Sequence, residues 1–142
     1  LGVFLLDFCE FWGESCVSTF SVGAAGGRDV LVSVALGAEE SVAWEYSKDT
    51  LPVIHRLEAD GYKVFSVEQA ENSLSLEKVT LPTDGKYALV FGNEVKGVQQ
   101  EVIDHSAGCI EIPQFGTKHS FNISVSVGIV LWQVVRPWLN RF

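Results

Sequence analysis

Two short segments hold the residues best placed to do chemistry. Phe91 to Val98, "FGNEVKGV", follows the apolar run Tyr87-Ala88-Leu89-Val90 and sets one carboxylate, Glu94, between Gly92 and Gly97. Gly92 directly after a strand lets backbone approach a ligand with no side chain in the way, and Gly97 can take a backbone angle that other residues resist. Asn93 and Glu94 then project beyond the strand end. The plainer alternative is a polar strand-to-helix turn, and the octapeptide alone fits both. The second segment is Ile110 to Ser126, "IEIPQFGTKHSFNISVS". Pro113 ends a strand, Gly116 loosens the loop, and Ser120 and Asn122 fall at the start of a long helix. Ser120 is there either a simple helix cap or, with Asn122 and the open helix-end amides, part of a donor set for a polar ligand.

Regular elements must position these segments. Thr50 to Ala59 reads as a helix, with Thr50 as N-cap, Pro52 in the first turn, Val53, Ile54 and Leu57 at helical spacing, and Gly61 as the stop. Tyr62 to Val67, Lys86 to Phe91 and Cys109 to Ile112 read as strands, and Gln99 to His105 as a short helix. Glu68 to Thr83 reads as a polar connection, and Phe115 to Lys118 as a loop. Ser120 to Trp138 is apolar on nearly every face and is too long for a strand, so it is expected to be a helix buried on more than one side, with Pro137 its first turn signal. Upstream the pattern is weaker: Ser21 to Gly27 reads as a loop and Asp29 to Val34 as a strand. Strands separated by helix-sized connections predict an α/β domain with a mostly parallel sheet. Its ligand crevice should lie beyond the carboxyl ends of the strands, where both segments emerge.

The bulk numbers bound the function. A chain of 142 residues, 47% hydrophobic and 20% charged, suits one globular domain over 1–142. Cys9, Cys16 and Cys109 are odd in number and lack CxxC spacing, so neither a disulfide framework nor zinc is expected, and a reducing, cytoplasmic setting fits best. His55, His105 and His119 are scattered, so no metal site is expected. Leu1 to Trp12 is apolar but has neither the basic flank of a signal peptide nor membrane-spanning length, so no membrane partner is expected. The first residue is Leu rather than Met, which leaves room for residues upstream. A net charge of −8 runs against a nucleic-acid partner, although Lys96 and Lys118 sit in the loops of interest. "GNEVKG" lacks the Gly-Lys-Ser/Thr ending of a phosphate loop.

Together, a strand ending in "LVFGNEVKGV" and, twenty positions after Gly92, an Ile-Pro turn leading to "SFNISVSVGIVLW" resemble the SpoU/TrmH family of the SPOUT RNA methyltransferases. That family's second motif looks like a strand followed by Gly-x-Glu-x-x-Gly, and its third like Ile-Pro, a short loop, Ser-Leu-Asn and an apolar helix. The resemblance spans about Ala35 to Trp138, with "ALGAEESVAWEY" similar to the family's middle region. It implies an α/β fold with a trefoil knot, S-adenosyl-L-methionine held among the knotted loops, a homodimer, and methyl transfer to a ribose 2′-hydroxyl of tRNA or rRNA; the apolar C-terminal helix around Trp132 and Trp138, which as core would be buried, also suits the homodimer interface. By motif position it places Leu89, Phe91, Gly92, Asn93, Gly97, Ile112, Ser120 and Phe121 at the cofactor, with Phe121 in place of the usual Leu. Glu94, Ser120 and Asn122 fall on the polar positions of the catalytic centre. The family's first motif, Asn-x-Gly-x-x-x-Arg, has no match. "SVGAAGGR" offers Gly23 and Arg28, but Ser21 stands for Asn and the arginine comes one residue late, so 1–34 is expected to be divergent. The same gap suggests a second reading, a catalytically impaired module that binds cofactor and dimerises.

Overall fold

In the computed structural model, which describes residues 2–8, 15–22, 44–82, 84–92, 96–116 and 121–139, the strand Lys86–Phe91 is buried at every residue after Lys86. A strand covered on both faces must be apolar at consecutive positions rather than alternate ones. This explains the unbroken run from Tyr87 to Phe91.

In chain order the described elements are β1 (Gly2–Phe8), β2 (Ser15–Val22), β3 (Trp44–Ser47), α1 (Thr50–Ala59), β4 (Tyr62–Val67), β5 (Leu74–Ser75), a 3-10 turn (Leu76–Lys78), β6 (Lys86–Phe91), α2 (Gln100–His105), β7 (Gly108–Glu111) and α3 (Ile123–Leu139). The strands form one sheet in the order β3-β2-β1-β6-β4-β7-β5. β4 pairs in parallel with β6 and β7, as β5 does with β7 and β2 with β3, while β1 runs antiparallel to both β2 and β6. The sheet is therefore mostly parallel, as expected. Val67 lies opposite both Phe91 and Ile110, so β4, β6 and β7 finish level with one another.

Helices cover both faces. Val64, Ala88 and Val90 pack with Val53, Ile54 and Leu57 of α1 and with Val102 of α2. On the other face Tyr87, Leu89, Phe91 and Ile110 meet Val127, Val130 and Val134 of α3. Removing each Val, Leu, Ile or Phe side chain among these from water contributes about 1.5–3 kcal/mol. Ser66, fully buried, is satisfied by the Ser106 hydroxyl at 2.6 Å, and Ser106 in turn donates to the Val102 carbonyl at 2.8 Å. Because the Ser106 proton is committed to Val102, Ser66 is the donor in that pair.

Several expectations change. The first residue of α1 is Thr50 and its N-cap is Asp49. The 68–83 connection holds β5 and the 3-10 turn, and Leu76, Val79 and Leu81 are buried against the α3 side of the sheet, so the segment closes the core. β7 runs one residue earlier than expected, over Gly108–Glu111. Ser21 and Val22 belong to β2 rather than to a loop, because β-branched and aromatic Val17, Thr19, Phe20 and Val22 favour a strand up to that point. α3 runs past Pro137 to Leu139, although the proline leaves the Gln133 carbonyl without its helical N–H donor. Nor is α3 buried on several sides: Val127, Val130 and Val134 face the core, whereas Val125, Ile129 and Trp132 are exposed. The expected strand over Asp29 to Val34 lies outside the described residues, as do Arg28, Asn93, Glu94, Lys118 and Ser120.

Candidate functional site

Because β4, β6 and β7 end level, the loops leaving them converge. They surround a cleft of about 1020 Å³ lined by Glu68 to Asn72 after β4, by Phe91, Gly92 and Lys96 to Val98 around the end of β6, and by Ile112 and Gln114 after β7. Phe121, Ile123 and Ser126 at the start of α3, together with Gln100, Ile103 and Asp104 of α2, complete the wall. The volume suits a nucleoside-sized ligand.

The loop after β6 is pinched shut. A Cβ on Gly92 would collide with the Gly97 carbonyl carbon and the Val98 nitrogen, so only glycine allows the chain to return on itself here. Gly97 takes φ +63, and a Cβ there would strike Glu68 Oε2. Glu68 ties this return to the neighbouring strand end: its Oε2 accepts from the Val98 N–H at 2.9 Å and its Oε1 from the Gln69 N–H at 3.0 Å. The Glu68 backbone is itself held, since its N–H donates to the Ile110 carbonyl at 3.0 Å and its carbonyl accepts from Cys109 Sγ at 3.3 Å. One residue thereby links three strand ends, its side chain reaching the return after β6 and its backbone holding β7. Burial pushes the Cys109 thiol up, which disfavours a thiolate, and Cys109 does not line the cleft.

At the start of α3, Asn122 Oδ1 accepts from the Ser124 N–H at 2.8 Å, and the Asn122 carbonyl takes the Ser126 N–H at 3.0 Å. Asn122 thus caps the helix, the role the sequence offered to Ser120.

Of the residues expected at a cofactor, Phe91, Gly92, Gly97, Ile112 and Phe121 are brought together in this cleft. Leu89 is not: two residues below the strand end, it is fully buried beneath Val127 and Val130 in the α3-side core. Asn122 caps the helix beside the cleft without lining it. Glu68 was missed. The signal was available, because Glu68 follows β4 just as Gly92 follows β6, and the strand-end rule applies equally to both. Among the described residues no three His, Cys, Asp or Glu side chains gather as metal ligands, and no described helix is long and apolar enough to cross a membrane.

The sequence profile of the SpoU rRNA methylase family matches residues 9–132, and the chain belongs to that family. The match begins well upstream of Ala35, so it takes in most of the stretch expected to be divergent. A tRNA (guanosine(18)-2′-O)-methyltransferase of Borreliella burgdorferi is 32% identical over 102 residues, covering 72% of this chain and 46% of that protein. The fold resembles the crystal structure of the A. aeolicus TrmH/SpoU tRNA modifying enzyme, with a TM-score of 0.72 and 23% identity over 86% of this chain and 61% of that one. It also resembles the AdoMet-bound rRNA methyltransferase of Sinorhizobium meliloti, with a TM-score of 0.71 and 22% identity over 83% of this chain and 45% of that one. The chain therefore spans less than two thirds of each of these proteins, and less than half of two of them.

Proposed function

We propose that the chain acts as an S-adenosylmethionine-dependent methyltransferase on a ribose 2′-hydroxyl of tRNA or rRNA. The observation that carries this reading is the glycine-pinched return after β6, opening onto a cleft shared with the Ile112-Pro113 turn. The relatives' names agree with it.

The residues present suit such a cofactor. Gly92 offers bare backbone, Ile112 and Phe121 offer apolar surface for an adenine, and Glu68, Glu71 and Asp104 bring carboxylates to the same cleft, which favours a cationic ligand. When bound, the sulfonium supplies an already activated methyl group. In the transfer, the ribose oxygen forms a bond to the methyl carbon as the carbon–sulfur bond breaks, the bonding pair stays on sulfur, and the hydroxyl proton leaves. What remains for the protein is alignment and help with that proton. Asn122, oriented by its cap bond, and Ser120 and Glu94, by their motif positions, are the polar groups proposed to do this. We also infer that the knot of the family is present.

Calorimetry with S-adenosylmethionine, followed by labelled methyl transfer to unmodified tRNA and rRNA, tests the proposal. Binding and transfer are expected, with transfer lost in Asn122→Ala. Binding with no transfer to either RNA would instead favour the second reading, an impaired cofactor-binding module, which the missing Asn-x-Gly-x-x-x-Arg motif and the charge of −8 support.

A homodimer in a cytoplasmic setting belongs to the same proposal. Val125, Ile129 and Trp132 recur at helical spacing on the exposed side of α3, and Trp132 is 62% exposed. A stripe of this kind suits a second copy. Sedimentation should show a dimer that Trp132→Glu disrupts, and a wild-type monomer at micromolar concentration would remove this part.

A further inference from the structure

We propose that Glu68 is a positioning residue for cofactor binding, acting through the return after β6 rather than by gripping the ligand itself. The role rests on one part of the proposed function, that the cleft takes S-adenosylmethionine.

Each oxygen of the Glu68 carboxylate already accepts a backbone donor, Oε1 the Gln69 N–H at 3.0 Å and Oε2 the Val98 N–H at 2.9 Å. The first bond joins chain neighbours. The second spans 30 residues and fastens the end of β4 to the close of the loop that Gly92 opens. A hydrogen bond to an ionised acceptor is about twice as strong as a neutral one, so this is a firm tie. Gly97, at φ +63, leaves the place of its missing Cβ to the same Oε2, which seats the carboxylate directly on the returning backbone. The base of the side chain is fixed as well, because the Glu68 backbone is bonded to Ile110 and Cys109 of β7.

What the tie holds is cleft wall. Phe91, Gly92, Lys96, Gly97 and Val98 all line the cleft, and the backbone of Gly97 and Val98 lies hard against Gly92. Moving Val98 therefore moves the bare backbone that Gly92 offers to a ligand. A loop that holds its binding conformation only part of the time lowers affinity by that fraction. Glu68 also adds negative charge to the cleft, which a cationic cofactor would feel. The two effects are separable, since S-adenosylhomocysteine is the same ligand without the methyl group and without the sulfonium charge.

Calorimetry with S-adenosylmethionine and with S-adenosylhomocysteine compares wild type with Glu68→Ala, Glu68→Gln and Val53→Ala, the last a cavity in the α1-side core outside the cleft lining. Glu68→Ala should weaken S-adenosylhomocysteine about tenfold and S-adenosylmethionine at least as much. Glu68→Gln keeps one acceptor and should fall between alanine and wild type, and it decides the matter alone if the alanine variant does not fold. Val53→Ala should bind both ligands as wild type does although it is less stable. Amide exchange at Val98, followed by NMR with no ligand present, should quicken in Glu68→Ala and less so in Glu68→Gln. Wild-type affinity in the Glu68 variants overturns the proposal. So does a loss confined to S-adenosylmethionine, which would make Glu68 a charge and not a support, and so does equal weakening in Val53→Ala, which would tie affinity to stability alone. Wild type that binds neither ligand is a different result: it removes the functional proposal and this one with it.

Discussion

The loops that leave β6 and β7 share one cleft yet are built in opposite ways. After β6 the chain is crowded: Gly92 faces the backbone of Gly97 and Val98, and Gly97 faces the Glu68 carboxylate, with no space for a Cβ at either. After β7 it is open, since Gly116 has nothing within 4 Å and Phe115 stands in water. The difference teaches that a glycine reports on its neighbours. The same residue type is a structural necessity in one loop and a tolerated choice in the other, and a glycine-rich string does not tell which.

Substitutions at the glycines break the comparison most directly. Gly92→Ala should have the largest effect, because the atoms in the way are backbone and cannot rotate aside. A loss of about 3 kcal/mol is expected in chemical denaturation, with S-adenosylmethionine binding abolished in calorimetry. Glu68→Ala comes next, since it strands the Val98 N–H, at about 1–3 kcal/mol by the same denaturation measurement. Glu68→Gln keeps one acceptor and should recover part of the loss, whereas full retention of stability in the alanine variant would show that Glu68 locks nothing. Asn122→Ala removes a helix cap and should lower stability by about 1 kcal/mol by thermal melting, while methyl transfer falls much further than that loss explains. Gly116→Ala should be the mildest, within about 0.5 kcal/mol and without effect on cofactor affinity. Were it as damaging as Gly92→Ala, the contrast between the loops would not hold.

The pH dependence of stability sharpens the crowded side. Burial holds the Cys109 thiol protonated in the fold, and burial with the nearby Asp84 carboxylate does the same for the Tyr87 hydroxyl. Both groups have raised folded values, so their contribution is complete below the ordinary thiol and phenol ranges. It is lost as pH rises through those ranges, because only the unfolded chain then ionises freely. Denaturation midpoints should fall on the alkaline side, and Cys109→Ser should remove the thiol's share.

Much of the core was legible because its signals are local. Val53, Ile54 and Leu57 recur at helical spacing and are buried together, and the run from Tyr87 to Phe91 announces a strand covered on both sides. The cleft was legible in part, at Gly92, Gly97, Ile112 and Phe121, because two glycine- and proline-marked segments both follow strands. β5 and the 3-10 turn were obscured by the polar residues around Leu74 and Leu76; the apolar partners of Leu76 lie on α3 and the sheet rather than nearby in sequence. The exposed side of α3 was read as buried for a related reason: composition shows that a helix is apolar all round, and only packing shows which side has a partner.

By itself the sequence determined which segments become strands and helices in the C-terminal part, where one strand ends in glycine and another in an Ile-Pro turn, and that both turns belong to a family motif. Those facts are written in spacing along the chain. That β4, β6 and β7 finish level, that Glu68 bridges 30 residues to the Val98 N–H, and that Phe115 is left in water were decided only by the tertiary structure. Strand register and side-chain reach depend on segments far apart in sequence meeting in space, which no local pattern records.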